Sequence, residues 1–546
     1  MTDVLTTAQR SFNMSRIRSK NTRPEIRLKE ILISHGLGDF IMQPKDVQGH
    51  PDFYFPDRKS ALFVDGCFWH GCKQCYKEPE TNKKFWCKKI KSNINRDKMV
   101  NKKLFKLGVS VIRLSEHELK QNESLVLKKI KNKLPVDHRP KVLDVFAGAG
   151  GLSEGFIKSG CEIIGHIEME KNSCNTLITR MIYHALIKRG RLDEYKNYVQ
   201  GKITRDELIN KYGLQKERDS VICSNINRDN YNRLIDQIKE RLGGQSLDMI
   251  VGGPPCQAYS YIGRARDDNN MRRDKRNFLY RYYVEFLKAF KPKIFVFENV
   301  PGLVSAGKGR YLKDMRSLMK KAGYTTDYKI LNAADFGVPQ NRKRVILVGW
   351  RKNSGLKEYP VFPNIERDYL VKDFFAGLPK VMAAESRKIR KFSVRNKLLE
   401  KLDILNPDFG LLTDHIARPN TKQDLEIYRL AVRAKKKGKN LKYNQLPIRL
   451  KTHDNENGFL DRFKVVDAGA KGSHTVVAHI SKDGHFYIHP DIRQNRSLTV
   501  REAARLQTFP DDYKFEGERG PRFKQIGNAV PPMLSRVIAG VLIKYL

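Results

Sequence analysis

No apolar run in this 546-residue chain reaches the roughly 18–20 residues that a membrane-crossing helix needs. The opening decapeptide has no apolar block, so a secretory leader is not expected. Cysteine is scarce: eight residues, scattered unevenly, do not form a disulfide framework and point to a reducing, cytoplasmic setting. Internal repeats and low-complexity tracts are absent, which argues against a solenoid or a long disordered tail. Acidic residues are heavily outnumbered, 60 Asp+Glu against 104 Lys+Arg, for a formal charge of +44. Such an excess calls for a polyanionic partner, and nucleic acid is the first candidate, because Lys and Arg facing phosphates supply most sequence-independent affinity. The alternative is a merely soluble basic protein.

What is present is enough apolar residue, 40%, for more than one core in a chain of this length. A break is expected at Leu134-Pro135-Val136-Asp137-His138-Arg139-Pro140, after a Lys-rich helix end at Lys128–Lys133 and before the β-like run Lys141–Phe146. Beyond it, short apolar runs at Val142–Phe146, Ile163–Ile167, Met249–Val251, Ile294–Phe297 and Val345–Val348 read as buried strands. Amphipathic stretches at Asn277–Phe290 and Tyr311–Ala322 alternate with them, which predicts a parallel sheet covered by helices. Asn172–Arg218 reads as a charged helical insertion, and the basic stretch Asn353–Asn495 as a separate DNA-reading lobe. The expected division is 1–134, 141–352, 353–495 and 496–546.

Four short segments carry the chemistry of the larger part. Asp144-Val145-Phe146-Ala147-Gly148-Ala149-Gly150-Gly151 is strand, then glycines, then helix, with Glu168 at the end of the next strand placed to accept from ribose hydroxyls. A tight structural turn with an unrelated Glu is the plainer alternative. Gly252-Gly253-Pro254-Pro255-Cys256-Gln257 holds a thiol in a rigid loop just past a buried strand, where a packing role is hard to assign. Phe297-Glu298-Asn299-Val300 ends another strand, and Gln340-Asn341-Arg342-Lys343-Arg344 precedes the next.

Together these segments resemble the cytosine-5 DNA methyltransferase family over nearly all of Lys141–Leu546, in the family's order, with late motifs at Arg496–Asp511 and Gln525–Pro532. The resemblance implies a Rossmann-like, S-adenosylmethionine-dependent domain. Phe146 would stack on the cofactor's adenine, with Gly148, Gly150, Gly151, Pro254 and Asn528 shaping the pocket and Glu168 holding the ribose. Where the family commonly has Asp before Ile, this chain has Asn225, whose side-chain carbonyl can still accept from the adenine amine. Cys256 would attack carbon 6 of a flipped cytosine, Glu298, held partly protonated, would bond N3 and the exocyclic amine, and Arg342 and Arg344 would orient base and carboxylate.

In the N-terminal part, Cys67, Cys72 and Cys75 crowd into nine residues. Three thiolates in a turn need one more ligand to close a tetrahedral zinc site; His117 is the candidate and Cys87 the spare. Three free thiols are the alternative. Thr22-Arg23-Pro24-Glu25, Pro51-Asp52-Phe53, Gly66–His70, Phe85-Trp86 and Asn93–Asp97 resemble the very short patch repair endonucleases, which nick DNA beside thymine–guanine mismatches. The resemblance implies a restriction-endonuclease-like α/β domain in which Asp52 binds magnesium, His70 acts on the attacking water and Glu25 assists. Phe68, Trp69 and Trp86 would wedge into the base stack, although Trp86 could equally be core. Asp65, before Gly66, stands at a position that varies in the family. The whole reads as a bifunctional enzyme on double-stranded DNA. Two other readings stay open: a restriction nuclease cutting unmethylated duplex, or a silent DNA-binding module.

Overall fold

Strands whose alternate side chains pack on two covered faces build the two larger sheets of this chain, seen in a computed structural model that describes residues 22–546 except 36, 39, 45, 57, 81, 135–138, 256–277, 386–388, 393–394 and 453–459. The described residues group into two units: 22–134 with His184–Glu194, and Arg139–Tyr183 with Tyr195–Leu546.

In the first unit, β1 (Ile41–Met42), β2 (Phe53–Phe55), β3 (Ser60–Asp65) and β4 (Ser110–Ser115) form a four-stranded sheet in that order. Strands β1 to β3 pair antiparallel, whereas β3 and β4 are parallel. A parallel pair needs a long crossover, and here it contains the 24-residue helix α2 (Lys83–Lys106), following α1 (Arg23–Ser34) in the chain. Leu62, Ile112 and Leu114 face a core with Leu28 and Leu32 of α1 and Ile130, while Ala61 and Phe63 face Leu104 of α2. Helices α3 (Glu116–Gln121) and α4 (Glu123–Lys133) complete it. This is the mixed α/β domain that was expected.

The second unit has a seven-stranded sheet. Five strands are parallel: β5 (Lys141–Val145), β6 (Glu162–Glu168), β7 (Val221–Cys223), β8 (Met249–Gly252) and β9 (Ile294–Asn299). They continue through β11 (Lys343–Trp350) to β10 (Thr325–Asn332) at the edge, giving the order β10-β11-β9-β8-β5-β6-β7. Leu143, Ile250, Phe295, Phe297 and Leu347 point to one face; Val142, Met249, Val251, Val296 and Ile346 point to the other. The first face is covered by the helices Tyr231–Leu242, Leu279–Phe290 and Arg310–Lys321, the second by α5 (Gly151–Lys158) and the C-terminal helix Pro532–Leu542. Each fully buried Leu, Ile or Phe of these layers contributes about 1.5–3 kcal/mol.

The sheet corrects two expectations. It is not wholly parallel, because β11 runs antiparallel to β9. The reason is β10, an edge strand that shows no apolar run: the short link between β10 and β11 permits only an antiparallel hairpin. Nor is 353–495 a separate body throughout. Tyr369, Val371, Phe374 and Leu399 share one core with Leu498, Val500, Leu506 and Phe509, whereas Ile427, Tyr428, Val432 and Phe463 gather a cluster of their own. The insertion after β6 is helical as expected, with α6 (Lys171–Lys188), α7 (Leu192–Val199), α8 (Arg205–Tyr212) and α9 (Gln215–Asp219). By length and composition Arg519–Tyr545 could be compared with a membrane span, with 61% of its apolar window buried. It is interrupted at Ala529, whose ψ is 150°, and Leu534, Ile538 and Leu542 lie in the core, so it reads as a pair of packed core helices.

At the middle of β5, Asp144 is fully buried between β6 and β8. Burial pushes its carboxyl up to about 8, Glu168 adds to this, and the Ser153 hydroxyl and amide only partly oppose it. In the unfolded chain the same group ionises near ~4. Its contribution to stability is therefore complete in acid and is lost as pH rises toward about 8. Asp144→Asn, which cannot ionise, should lose less Tm between about pH 5 and about pH 8 than the native chain. Equal losses would contradict this account.

Candidate active sites

The carboxyl edge of the seven-stranded sheet gathers the larger site. β8 lies between β5 and β9, with Val145 opposite Gly252 and Gly252 opposite Phe297, so Phe146, Gly253 and Glu298 leave the sheet side by side. Phe146 has φ +61°, a strained value for a bulky residue, and Gly148 and Gly150 have φ +55° and +77°. A Cβ at Gly151 would stand 2.2 Å from the Val530 carbonyl, whereas one at Gly148 would enter open space. The glycine loop thus packs tightly behind and is open in front, as a cradle for a ligand must be. The Glu168 carboxylate reaches back to this loop: Oε2 accepts from the Gly148 amide and Oε1 from the Glu170 amide, both at 2.8 Å. Burial raises its pKa against those bonds. Each oxygen keeps a lone pair for a further donor.

Asn225 is exposed and lies just past β7, where the Ser224 amide donates to the Glu168 carbonyl at 2.8 Å. Its Oδ1 takes the Asn230 side-chain amide at 3.2 Å. Asn528 is exposed at the end of the helix Arg519–Asn528. Pro254 is buried, and its carbonyl accepts from the Asn299 side chain at 3.2 Å.

The loop that leads to Cys256 is pinned where it begins. A Cβ at Gly252 would lie 2.0 Å from the Val145 carbonyl, and one at Gly253 would lie 2.6 Å from Glu298 Oε2. Only glycine permits that approach. Cys256 itself lies outside the described residues. Glu298 is held from the other side by Arg344, whose Nε is 2.8 Å from Oε1. The antiparallel register explains the pair: Ile346 is opposite Glu298, and Arg344 is two residues away on the same face. Arg342 is not brought to this carboxylate. It is fully buried and donates to the Val476 carbonyl at 2.6 Å and the Gly527 carbonyl at 3.0 Å, tying the segment before Asn528 to the sheet. Gln340 does similar work on the Leu506 carbonyl and the Val476 amide.

In the N-terminal unit the site lies at the carboxyl end of β3. Asp52 Oδ2 accepts from the Val64 amide at 2.7 Å, yet burial lifts its carboxyl to about 6, with Glu25 and Asp65 adding repulsion. Glu25, buried on α1, accepts from Thr22 and Gln43 at 2.8 Å. His70 Nδ1 lies 2.6 Å from Asp97 Oδ2, and Arg113 bridges Asp65 at 2.6 Å and Asp97 at 3.3 Å. Asp97 and Arg113 carried no expected role. Asp97 sits in a segment that was noted, but its meeting with His70 requires the α2 crossover to return along the sheet.

Cys67, Cys72, Cys75 and His117 offer ligand atoms that all lie within 4.8 Å of one another. His117 Nδ1 stands 3.3 Å from Cys67 Sγ and 3.4 Å from Cys72 Sγ; Cys87 is not in the group. Desolvation and the neighbouring thiols push Cys75 up to about 11. Three sulfurs and one imidazole nitrogen fit a structural zinc ion. Asp65, His70 and Asp97 bring a second set of donor atoms within 4.8 Å of one another, and Asp52 lies in the field of Glu25 and Asp65, oxygen donors of the kind a hard cation prefers. Phe68, Trp69 and Trp86 contact one another at 5.2–5.9 Å and are half-exposed, and Phe85 beside Trp86 is 60% exposed. Trp86 is therefore not a core residue.

The family model of the C-5 cytosine-specific DNA methylases matches residues 208–544. The chain belongs to that family. The model of the DNA mismatch endonuclease Vsr matches residues 2–77, so this methyltransferase carries an N-terminal Vsr domain. The type II methyltransferase M.Bpa9945I of Bacillus paralicheniformis is 41% identical over 439 residues, covering 73% of this chain and 97% of its own. M.XorII of Xanthomonas oryzae is 30% identical over 431 residues, covering 75% and 85%. A solved DNA modification methyltransferase from an E. coli prophage shares the fold, with TM-score 0.50 and 22% identity over 74% of this chain and 99% of that one. The family implies S-adenosylmethionine as methyl donor.

Gly253→Ala tests how closely the loop must pass Glu298. The added methyl would also stand 2.9 Å from the Glu298 carbonyl, so it should displace that carboxylate, lower the methylation rate by about a hundredfold and lower Tm. A rate within about twofold of native would show that the close approach is unimportant.

Proposed function

We propose that this methyltransferase modifies carbon 5 of cytosine in a specific duplex sequence, with Cys256 as nucleophile. The observation that carries the reading is the contact between the nucleophile loop and Glu298, which sets the thiol's loop beside the carboxylate that would hold the base. The Cys256 thiolate adds to carbon 6, and carbon 5 then becomes electron-rich enough to accept a methyl group. Glu298 would bond N3 and the exocyclic amine, with Arg344 fixing the carboxylate. Loss of the carbon-5 proton and of the thiolate restores the aromatic ring. S-adenosylmethionine, when bound, supplies an electrophilic methyl on a sulfonium. Phe146, the glycines at 148, 150 and 151, Glu168, Asn225, Pro254 and Asn528 would hold it. Arg342 is read as a strut for the segment around Asn528 and not as a group that touches the base. The stacked target base cannot reach this edge, so it must be flipped. Residues 353–495 would read the sequence.

The N-terminal domain, about 1–134, is proposed to nick duplex DNA at thymine–guanine mismatches. Asp52 and Glu25 would hold Mg2+, which supplies Lewis acidity when bound; His70, oriented by Asp97, would take a proton from the attacking water. Zinc on Cys67, Cys72, Cys75 and His117 would shape the loop that presents His70, and Phe68, Trp69 and Trp86 would open the stack. The pairing has a chemical basis: deamination of 5-methylcytosine leaves thymine opposite guanine, so methylation creates the lesion that the nuclease would mark.

Two single variants of the full chain should separate the activities. Cys256→Ser should lose methyl transfer by at least about a hundredfold and keep mismatch nicking, and Asp52→Ala should do the reverse. Cutting of matched, unmethylated duplex by the native chain would favour a restriction nuclease. Absence of any Asp52-dependent cutting would leave a DNA-binding module.

A further inference from the structure

The helical insertion after β6 has no role in the chemistry above, yet it places a cation behind the cofactor loop. Arg180, on α6, is 4% exposed. Its Nε and Nη2 donate to Glu154 Oε2 and Oε1 at 2.9 and 2.6 Å, and its Nη1 donates to Asp512 Oδ1 at 2.8 Å. The guanidinium is also flanked by two rings, with Cζ 4.0 Å from the Tyr183 centroid and 4.6 Å from that of Tyr513. Glu154 lies in the first turn of α5, and its amide donates to the Gly150 carbonyl at 2.8 Å. The Tyr513 hydroxyl donates to the Ala149 carbonyl. Behind Gly150, a Cβ would meet Leu177 of α6 at 2.7 Å and the Tyr513 hydroxyl at 3.0 Å. Two distant segments, α6 and Asp512–Tyr513, thus converge on the back of the loop whose open front would receive the donor.

A buried Glu–Arg–Asp arrangement is a poor way to gain stability, because desolvating the charges offsets most of their attraction. It is a good way to fix one geometry: a planar fork can satisfy two carboxylates in only one orientation. We infer that Arg180 and Tyr513 are positioning residues for S-adenosylmethionine, setting the Ala149–Gly150 backbone so that the glycine loop is preformed for the ligand. Arg180 acts through Glu154 and Asp512; Tyr513 acts through the Ala149 carbonyl and covers the guanidinium. The inference rests on the reading of residues 144–151 as the donor site.

Tyr513→Phe keeps the ring over Arg180 and removes only the hydroxyl on the loop. Calorimetric titration of the full chain with S-adenosylhomocysteine, the demethylated product, should show Kd raised about tenfold, the size of one lost hydrogen bond. The KM for S-adenosylmethionine should rise in parallel, with the loss much smaller in kcat, and the affinity for duplex should be unchanged. Arg180→Lys, which keeps the charge and loses the fork, should weaken the same binding while the melting transition stays cooperative. If Tyr513→Phe melts like the native chain and binds S-adenosylhomocysteine as tightly, the inference is overturned. It is equally overturned if both variants lose kcat at saturating donor with Kd unmoved. A native chain that does not bind S-adenosylhomocysteine would instead overturn the donor-site reading itself.

Discussion

The larger site depends on how closely three strand ends abut. With β8 hydrogen-bonded between β5 and β9, the chain leaving β8 has no room for a side chain at Gly252 or Gly253. The loop that continues to Cys256 must start against Glu298. The same crowding leaves the glycine loop of β5 open only toward the edge. Arg344 then holds Glu298 from β11, the one antiparallel strand next to the parallel set. Reversing β11 brings a cation to the end of β9 that a further parallel strand would have placed at the opposite edge. The glycine loop, the Glu298 carboxylate and the start of the loop that leads to Cys256 are therefore consequences of a single sheet edge.

The N-terminal unit uses the same device on a smaller scale. β3 ends at Asp65, and the following turn carries His70 and the three thiols. The parallel return through α2 to β4 delivers Asp97 and Arg113 to His70 and Asp65, and His117 to the thiols just after β4. Both units thus put acids where a parallel pair ends; in the N-terminal unit an imidazole and thiols join them.

Much of this is legible in the sequence, for a physical reason. Strands buried on both faces, such as β8 and most of β9, are continuous apolar runs, and the residues that end them mark the edge. His117 could be named as the candidate fourth donor because tetrahedral coordination requires one more, and it lies beside the three thiols. Edge strand β10 could not be read, since its residues alternate between exposed and half-exposed without an apolar face. The direction of β11 depends on β10 and was hidden with it. Arg342 and Arg344 look equivalent in the motif, but only register decides that one meets Glu298 and the other spans two carbonyls in the segment near Asn528. Arg180 was illegible for a similar reason: its carboxylate partners lie 26 and 332 residues away, in segments that meet only through the fold.

The account turns on a carbon–sulfur bond forming at Cys256 while the target base is out of its helix. A duplex carrying 5-fluorocytosine at the methylated position traps such a bond, because fluorine cannot leave as the proton does. With S-adenosylmethionine present, the native chain should give a denaturant-resistant complex with the DNA, and peptide mapping should place the link on Cys256. No complex, or one that persists in Cys256→Ser, would contradict the account.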